Sequence, residues 1–393
     1  MKIINCIFIF FLLLQYQFFS LGSADVVTVP PFIISKKSIL KYLSLENINF
    51  DVPALYVFGD SYVDAGNNNY VHVPQIERNY TPYGIDFGGK PTGRYTNGRT
   101  VADFIAQIVG LPFPPPVLSL SKGDKRIPQT GINYACGFTG ILENFGKLFV
   151  RHPNLHNFFF HIICFLKEQV DLFESTTKGL QSQFQSKESF SRYLSKSLFF
   201  INSVAYDLDI EWDGLRYFYD ENYYTQLLIK DLSKHLQRLY QLGARKIVVN
   251  NASPIGCQPH LISGGRNGPE CDYLANNRAL LFNKRLTNLL KDLQSTLSGS
   301  KFVLGDLYKI FQDVYASPTW YGFTDVRSSC CTEIDKGLTK PCLANVAPCK
   351  DRSSHVFFDP MHPSESMHFI WARRLLKDSS VSSPINLIQL IQS

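Results

Sequence analysis

Three residue types that together support covalent acyl chemistry occur near opposite ends of the chain: Ser61, Asp359 and His362. A serine hydroxyl is a weak nucleophile at neutral pH and needs a base within hydrogen-bond reach, itself oriented by a third group. In Phe357-Phe358-Asp359-Pro360-Met361-His362-Pro363 the Asp-x-x-His spacing lets the carboxylate accept the imidazole Nδ1 proton across one turn. Nε2 is then left for Ser61. Each residue also has a plainer use. Serine after a strand often caps the next helix, histidine occurs on surfaces, and aspartate opens ordinary turns.

Other chemistries fit less well. Gly84 to Lys90 spells G-x-x-x-x-G-K, but Pro91 stands where a phosphate loop needs Ser or Thr for magnesium. No G-x-G-x-x-G opens a helix, and no serine has the G-x-S-x-G surroundings of a nucleophile elbow. Cys330, Cys331, Cys342 and Cys349, with His355 beyond, could be read as zinc ligands. Adjacent cysteines chelate one tetrahedral ion poorly and no C-x-x-C pair is present, so disulfides are expected instead. Cys257 and Cys271 bracket a Gly-rich loop as a local bridge would, and Cys136 and Cys164 suit buried thiols. Asn79 and Asn251 match the glycosylation acceptor pattern, with Asn79 in the more turn-rich stretch.

The elements that must position these residues show in the hydropathy. Apolar runs at 54–58, 198–201, 246–250 and 302–304 alternate with helical stripes. Val101, Phe104, Ile105 and Ile108 lie on one face of a segment opened by Thr100 with Asp103 three residues later and closed by Gly110. Leu228, Leu232, Leu236 and Leu239 form a second stripe, and Phe282, Leu286, Leu289 and Leu293 a third. Continuously apolar strands separated by amphipathic helices predict an α/β domain with a parallel sheet covered on both faces. Sites in such sheets form at the carboxyl ends of the strands, which is where Ser61 falls.

The chain has 393 residues, 45% of them hydrophobic and 18% charged, enough for a large core and unlike a disordered protein. A net charge of +6 without a basic block argues against a nucleic-acid partner. Met1-Lys2, the apolar run Ile7–Leu14 and small residues up to Ala24 read as a secretory signal peptide over 1–24. Gln15 and Gln17 break that run short of the ~20 apolar residues a membrane anchor needs. Cleavage takes away Lys2 and Cys6, leaving +5 and an even eight of the nine cysteines, as an exported, disulfide-bonded chain would have. We expect an N-terminal extension over 25–50 and one domain over 51–393.

Phe58-Gly-Asp-Ser61-Tyr-Val-Asp-Ala-Gly-Asn-Asn68 resembles the first block of the plant GDSL esterase/lipases, within the SGNH hydrolase superfamily. The likeness continues through Tyr95–Phe104, Gly131–Gly137, Leu242–Asn251, Pro254–Cys257 and Asp359–Pro363. It implies a three-layer α/β/α sandwich with a flavodoxin-like parallel sheet, and secretion to the extracellular space or cell wall. It further implies hydrolysis of carboxylic esters; we expect a lipid or small-molecule ester substrate, a monomer, and no metal or organic cofactor. Ser61 resembles the family's nucleophile, His362 its acid–base and Asp359 its orienting group. The oxyanion hole is similar to the N–H groups of Ser61 and Gly137 with an Asn side chain from a Gly-x-Asn-Asp block. In Phe199–Asp207, Val204 stands at that Gly and Tyr206 at that Asn, while Asp207 keeps the Asp. Losing one oxyanion donor typically lowers kcat by roughly 10² to 10³. Asn202 is too far along its strand to substitute, at roughly 13 Å for ~3.3 Å per residue.

A second departure is an insertion near 147–165 with no polar and apolar period. It reads as a lid over a lipid site, as a surface loop or as translated intron sequence, and its His152, His156 and His161 are not taken as metal ligands. Two functions from different classes follow: a serine esterase with an impaired oxyanion hole, or a non-catalytic SGNH-fold glycoprotein that binds acylated lipid or polysaccharide. Acyl transfer to a sugar or lipid alcohol would use the same three residues.

Overall fold

The computed structural model describes residues 28–71, 76–120, 127–142, 164–211, 220–264, 270–335, 338–340 and 342–393. The signal segment and most of the insertion, including His152, His156 and His161, lie outside the described residues.

Four parallel strands form the centre: β1 (Leu55–Gly59), β2 (Leu198–Asn202), β3 (Lys246–Asn250) and β4 (Lys301–Gly305). They fall within a residue or two of the apolar runs. The register is regular, with Leu55 opposite Leu198, Leu198 opposite Lys246, and Lys246 opposite Lys301. The extended segment 130–136 runs along the free edge of β1, where Val57 N–H donates to Ile132 O (3.1 Å) and Tyr134 N–H to Val57 O (2.8 Å). In chain order the sheet therefore reads 2-1-3-4-5, the flavodoxin-like arrangement, and its direction of winding reverses between β1 and β2. A two-residue antiparallel strand, β9 (Ser382–Ser383), closes the other edge.

Alternate strand residues feed two cores, because side chains in a strand point to opposite faces. Leu55, Val57, Phe200, Val248 and Val303 enter one, packed under α1 (Lys36–Tyr42), α2 (Val101–Val109), α8 (Leu307–Ala316), α9 (Glu365–Lys377) and α10 (Leu387–Gln392). Tyr56, Phe58, Phe199, Ile247 and Phe302 enter the other, under α3 (Leu166–Gln181), α4 (Lys187–Lys196), α5 (Glu221–Gln241) and α7 (Tyr273–Thr296). This is the three-layer α/β/α fold. Burying one such Phe, Leu or Ile side chain contributes about 1.5–3 kcal/mol, so the sheet is the rigid part of the molecule.

Helix ends follow local chemistry. Thr100 and Asp103 form the expected capping box on α2, and Gly110 ends it in the left-handed region at φ 83°. Asp220 and Asp272 cap α5 and α7 with their carboxylates. The short helix α6 (Pro259–Gly264) follows β3. No helix among the described residues is long and apolar enough to cross a membrane.

The C-terminal third carries a small irregular unit: β5 (Asp325–Ser329) pairs with β8 (His355–Phe357), and β6 (Glu333–Asp335) with β7 (Leu338–Lys340). Disulfides Cys330–Cys349 and Cys331–Cys342 staple it, and Cys257–Cys271 closes the loop around α6. Cys136 and Cys164 are buried free thiols. Cys330, Cys349 and His355 place three ligand-type atoms within 4.8 Å, but the 330–349 bond uses the two thiolates a metal would need.

Candidate active site

The end of β1 is built for close approach. Gly59 has φ 148°, and a Cβ there would lie 1.9 Å from the carbonyl oxygen of Asn202 at the end of β2. Asp60 N–H then donates to that same oxygen at 3.0 Å. The buried Asp60 carboxylate accepts the N–H groups of Val204 and Ala205, both at 3.2 Å, and the Asn202 amide at 3.2 Å. One aspartate thus ties the turn after β1 to the turn after β2, which leaves Ser61 at the switch point of the sheet.

The rest of the first sequence block is a polar scaffold. Asp64 accepts the N–H groups of Gly66 and Asn67, both at 2.7 Å, and the Asn68 side-chain amide at 2.8 Å. Asn67 donates to the carbonyls of Asn133 (2.9 Å) and Ala135 (2.8 Å), which fixes the 131–137 segment beside β1. Gln169 of α3 donates to Gly59 O and accepts from Gly59 N–H, both at 2.8 Å.

The loop with Asp359 and His362 leaves β8 and enters α9, which Ser364 caps. It is pinned by Cys330 N–H to Phe357 O (3.1 Å), Cys331 N–H to Phe358 O (2.6 Å) and Phe358 N–H to His362 O (2.9 Å). Here the two ends of the chain meet. His362 Nε2 lies 2.8 Å from Ser61 Oγ, and His362 Nδ1 lies 2.8 Å from each Asp359 carboxylate oxygen. With a carboxylate at Nδ1 the ring proton sits there, and Nε2 accepts the serine hydroxyl.

Asp359 and His362 are 2% and 4% exposed. Asp359 also accepts the N–H groups of Met361 (2.9 Å) and His362 (2.8 Å) and the Tyr83 hydroxyl (2.5 Å). Burial pushes its pKa up, but the charge and hydrogen bond of His362, then Tyr83 and Met361, outweigh it and hold the value down to about 2. The carboxylate is therefore ionised throughout the neutral range, as it must be to support an imidazolium.

The wall facing Ser61 is different. Ser61, Phe138, Ala205, Tyr206, Asp209 and His362 line a cavity of about 30 Å³, room for a water or two and far below the roughly 300–1,000 Å³ of small-ligand sites. The rings of Phe138 and Tyr206 lie 6.1 Å apart across it. Phe138 holds φ 58°, a left-handed conformation that is rare for a bulky side chain. Ser61 N–H makes no hydrogen bond to a described residue. Gly137 N–H donates to Asp64 Oδ2 at 2.9 Å, so an oxyanion would have to compete for it. A Cβ at Gly137 would lie 2.0 Å from the Tyr95 hydroxyl, which requires glycine there. Asn202, turned to Asp60, does not reach into the cavity as a replacement donor. Asp207 accepts the N–H groups of Ile141 (2.9 Å) and Leu142 (3.4 Å), and burial raises its pKa to about 7.

His260 of α6 binds both walls together. Its Nε2 lies 3.0 Å from the Asp209 carboxylate, its Nδ1 3.2 Å from Pro360 O, and its backbone N–H donates to the same carbonyl at 3.1 Å. Both ring nitrogens face acceptors, so both carry protons when both contacts are made. Burial disfavours the imidazolium, but the charge and hydrogen bond of Asp209 prevail and raise the pKa.

The sequence reading missed Tyr83, Asp60, Gln169, Phe138 and the His260–Asp209 pair. Only Asp60, beside Ser61, carried a local signal. Of the glycosylation candidates, Asn79 is exposed. Asn251 is buried, its amide donating to Asp306 (2.8 Å) and its oxygen accepting Tyr308 N–H (3.0 Å).

Residues 55–375 match the family model of GDSL-like lipase/acylhydrolases. The chain is 40% identical over 349 residues to GDSL esterase/lipase 7 of Arabidopsis thaliana, an alignment covering 86% of this chain and 92% of the relative. To GDSL esterase/lipase At4g16230 of the same plant it is 38% identical over 349 residues, covering 86% and 91%. The reversed sheet order and the matched length agree: this chain belongs to the GDSL lipase/acylhydrolase family of carboxylic ester hydrolases.

Proposed function

We propose that Ser61, His362 and Asp359 are the catalytic triad of a secreted esterase acting on lipid esters or acylated cell-wall components. The observation that carries this is the unbroken hydrogen-bond chain from Asp359 through His362 to Ser61. In the first half-reaction Ser61 Oγ attacks the ester carbonyl as His362 Nε2 takes its proton. The tetrahedral intermediate collapses to the acyl-enzyme, and His362 returns that proton to the departing alkoxide. Water, activated by the same imidazole, then releases the acid and restores Ser61. Asp359 keeps the imidazole in the productive tautomer without changing protonation state. Ser61 N–H is the donor free to meet the developing oxyanion, and Tyr206 and Phe138 occupy the space where a second and third donor would work.

In this reading residues 1–24 are a signal peptide, 51–393 one domain after a 25–50 extension, and Asn79 the sugar-bearing site. Purified protein should hydrolyse a short-chain p-nitrophenyl ester slowly, and Ser61→Ala should reduce that rate to background. A folded wild type with the same rate as Ser61→Ala would overturn the esterase proposal. In that event the second reading stands, a binding protein for acylated lipid or polysaccharide, and what supports it is Tyr206 standing against Ser61 where an oxyanion donor is expected.

A further inference from the structure

The end of the sheet opposite Ser61 carries a cleft of about 580 Å³. In parallel strands the first residues all gather at one end of the sheet, about 13 Å from the last residues of five-residue strands. Two of those four first residues are cationic. Lys246 opens β3, Lys301 opens β4, and Arg245 and Lys196, the last residue of α4, complete the lining. Asp51 is the one carboxylate side chain among the lining residues.

Against the four cations stand the Asp51 side chain and the terminal carboxylate of Ser393, so two positive charges are left over. Asp51 pairs with Lys196 at 2.7 Å. Lys246 is 9% exposed, and its Nζ donates to Ile391 O at 2.6 Å rather than to an acid. Burial first, then the neighbouring charges of Lys301 and Lys196, push its pKa down. Arg245 lies 4.1 Å over the Tyr240 ring and uses Nη1 on the carbonyls of Tyr240 and Ala244, both at 2.8 Å. Its Nε and Nη2 make no hydrogen bond to a described residue, and exposed Lys301 has no ion-pair partner among them.

We propose that this cleft binds a small multivalent anion carrying two or three negative charges as phosphate or carboxylate groups. The volume falls in the range of small-ligand sites. The free edge of Arg245 offers a planar fork for two oxygens, and the lysines offer point charges on either side. The cleft contains no nucleophile–base pair, so its role is binding, separate from the chemistry at Ser61.

The test is thermal unfolding of the intact protein with pyrophosphate and with citrate, at low and high ionic strength. A saturable rise in Tm that shrinks with salt is expected, and whichever probe binds tighter identifies the preferred group. The double variant Arg245→Gln, Lys301→Gln should bind at least about tenfold more weakly. Equal rises in wild type and variant, or none in wild type, would overturn the proposal. If the double variant unfolds, calorimetric titration of Lys301→Gln, an exposed position, decides by the same criterion.

Discussion

The two walls around Ser61 are built to different standards. On one side, Asp359 and His362 sit at 2.8 Å contacts inside a loop held by Tyr83 and by the backbone N–H groups of the disulfide-bonded Cys330 and Cys331. On the other, where a transition-state oxyanion would be received, two aromatic rings leave about 30 Å³ and one of them, Phe138, occupies an unfavourable backbone region. Under the proposed esterase mechanism, activation of a nucleophile and stabilisation of the charge it creates are therefore separable. The first is assembled and the second is obstructed, although a single aspartate, Asp60, anchors both turns.

Breaking the assembled wall should have the largest effect. Asp359→Asn keeps the shape but favours the wrong imidazole tautomer, and kcat for a p-nitrophenyl ester should fall about 10⁴-fold or to background. A loss under tenfold would show that the residual rate does not pass through His362.

Opening the obstructed wall should act in the other direction. Val204→Gly with Tyr206→Asn supplies an amide donor and clears space, and esterase turnover should rise at least tenfold, within the roughly 10² to 10³ that one oxyanion donor typically contributes. Unchanged kcat in a folded double variant would mean that the facing wall does not limit the reaction.

The smallest effect concerns the tie between the walls. His260 has its pKa raised in the fold, so its contribution to stability is present below the unfolded histidine value and is lost as pH rises through the folded one. The stability difference between wild type and His260→Gln should be about 1 kcal/mol at pH 5–6 and shrink at alkaline pH. A difference that does not change between pH 5 and pH 9 would remove the ionic role of the Asp209 contact.

Much of this comparison was legible in the chain before folding. Strand positions followed from apolar runs because a strand buried on both faces has no polar side to interrupt them. The cap on α2 followed from Thr100 and Asp103, since both partners of a capping box lie within one turn. Val204 and Tyr206 could be flagged because the departure lies inside a short motif. Tyr83, by contrast, donates to Asp359 across 276 positions, and the pair His260 and Asp209 spans 51. No local pattern marks a tyrosine or histidine for such a partner.

Periodicity and neighbours a few residues apart were enough to specify the parallel sheet, the two ends of α2 and the residue types able to do acyl chemistry. Only the tertiary structure decided that Ser61 meets His362 across 301 positions. It alone committed Gly137 N–H to Asp64 and set the cavity at the size of a water or two. Those outcomes depend on how loops from separate strands close over a common edge. That closure is set by buried carboxylates such as Asp60 and Asp64, which must find hydrogen bonds from whatever backbone the fold brings to them.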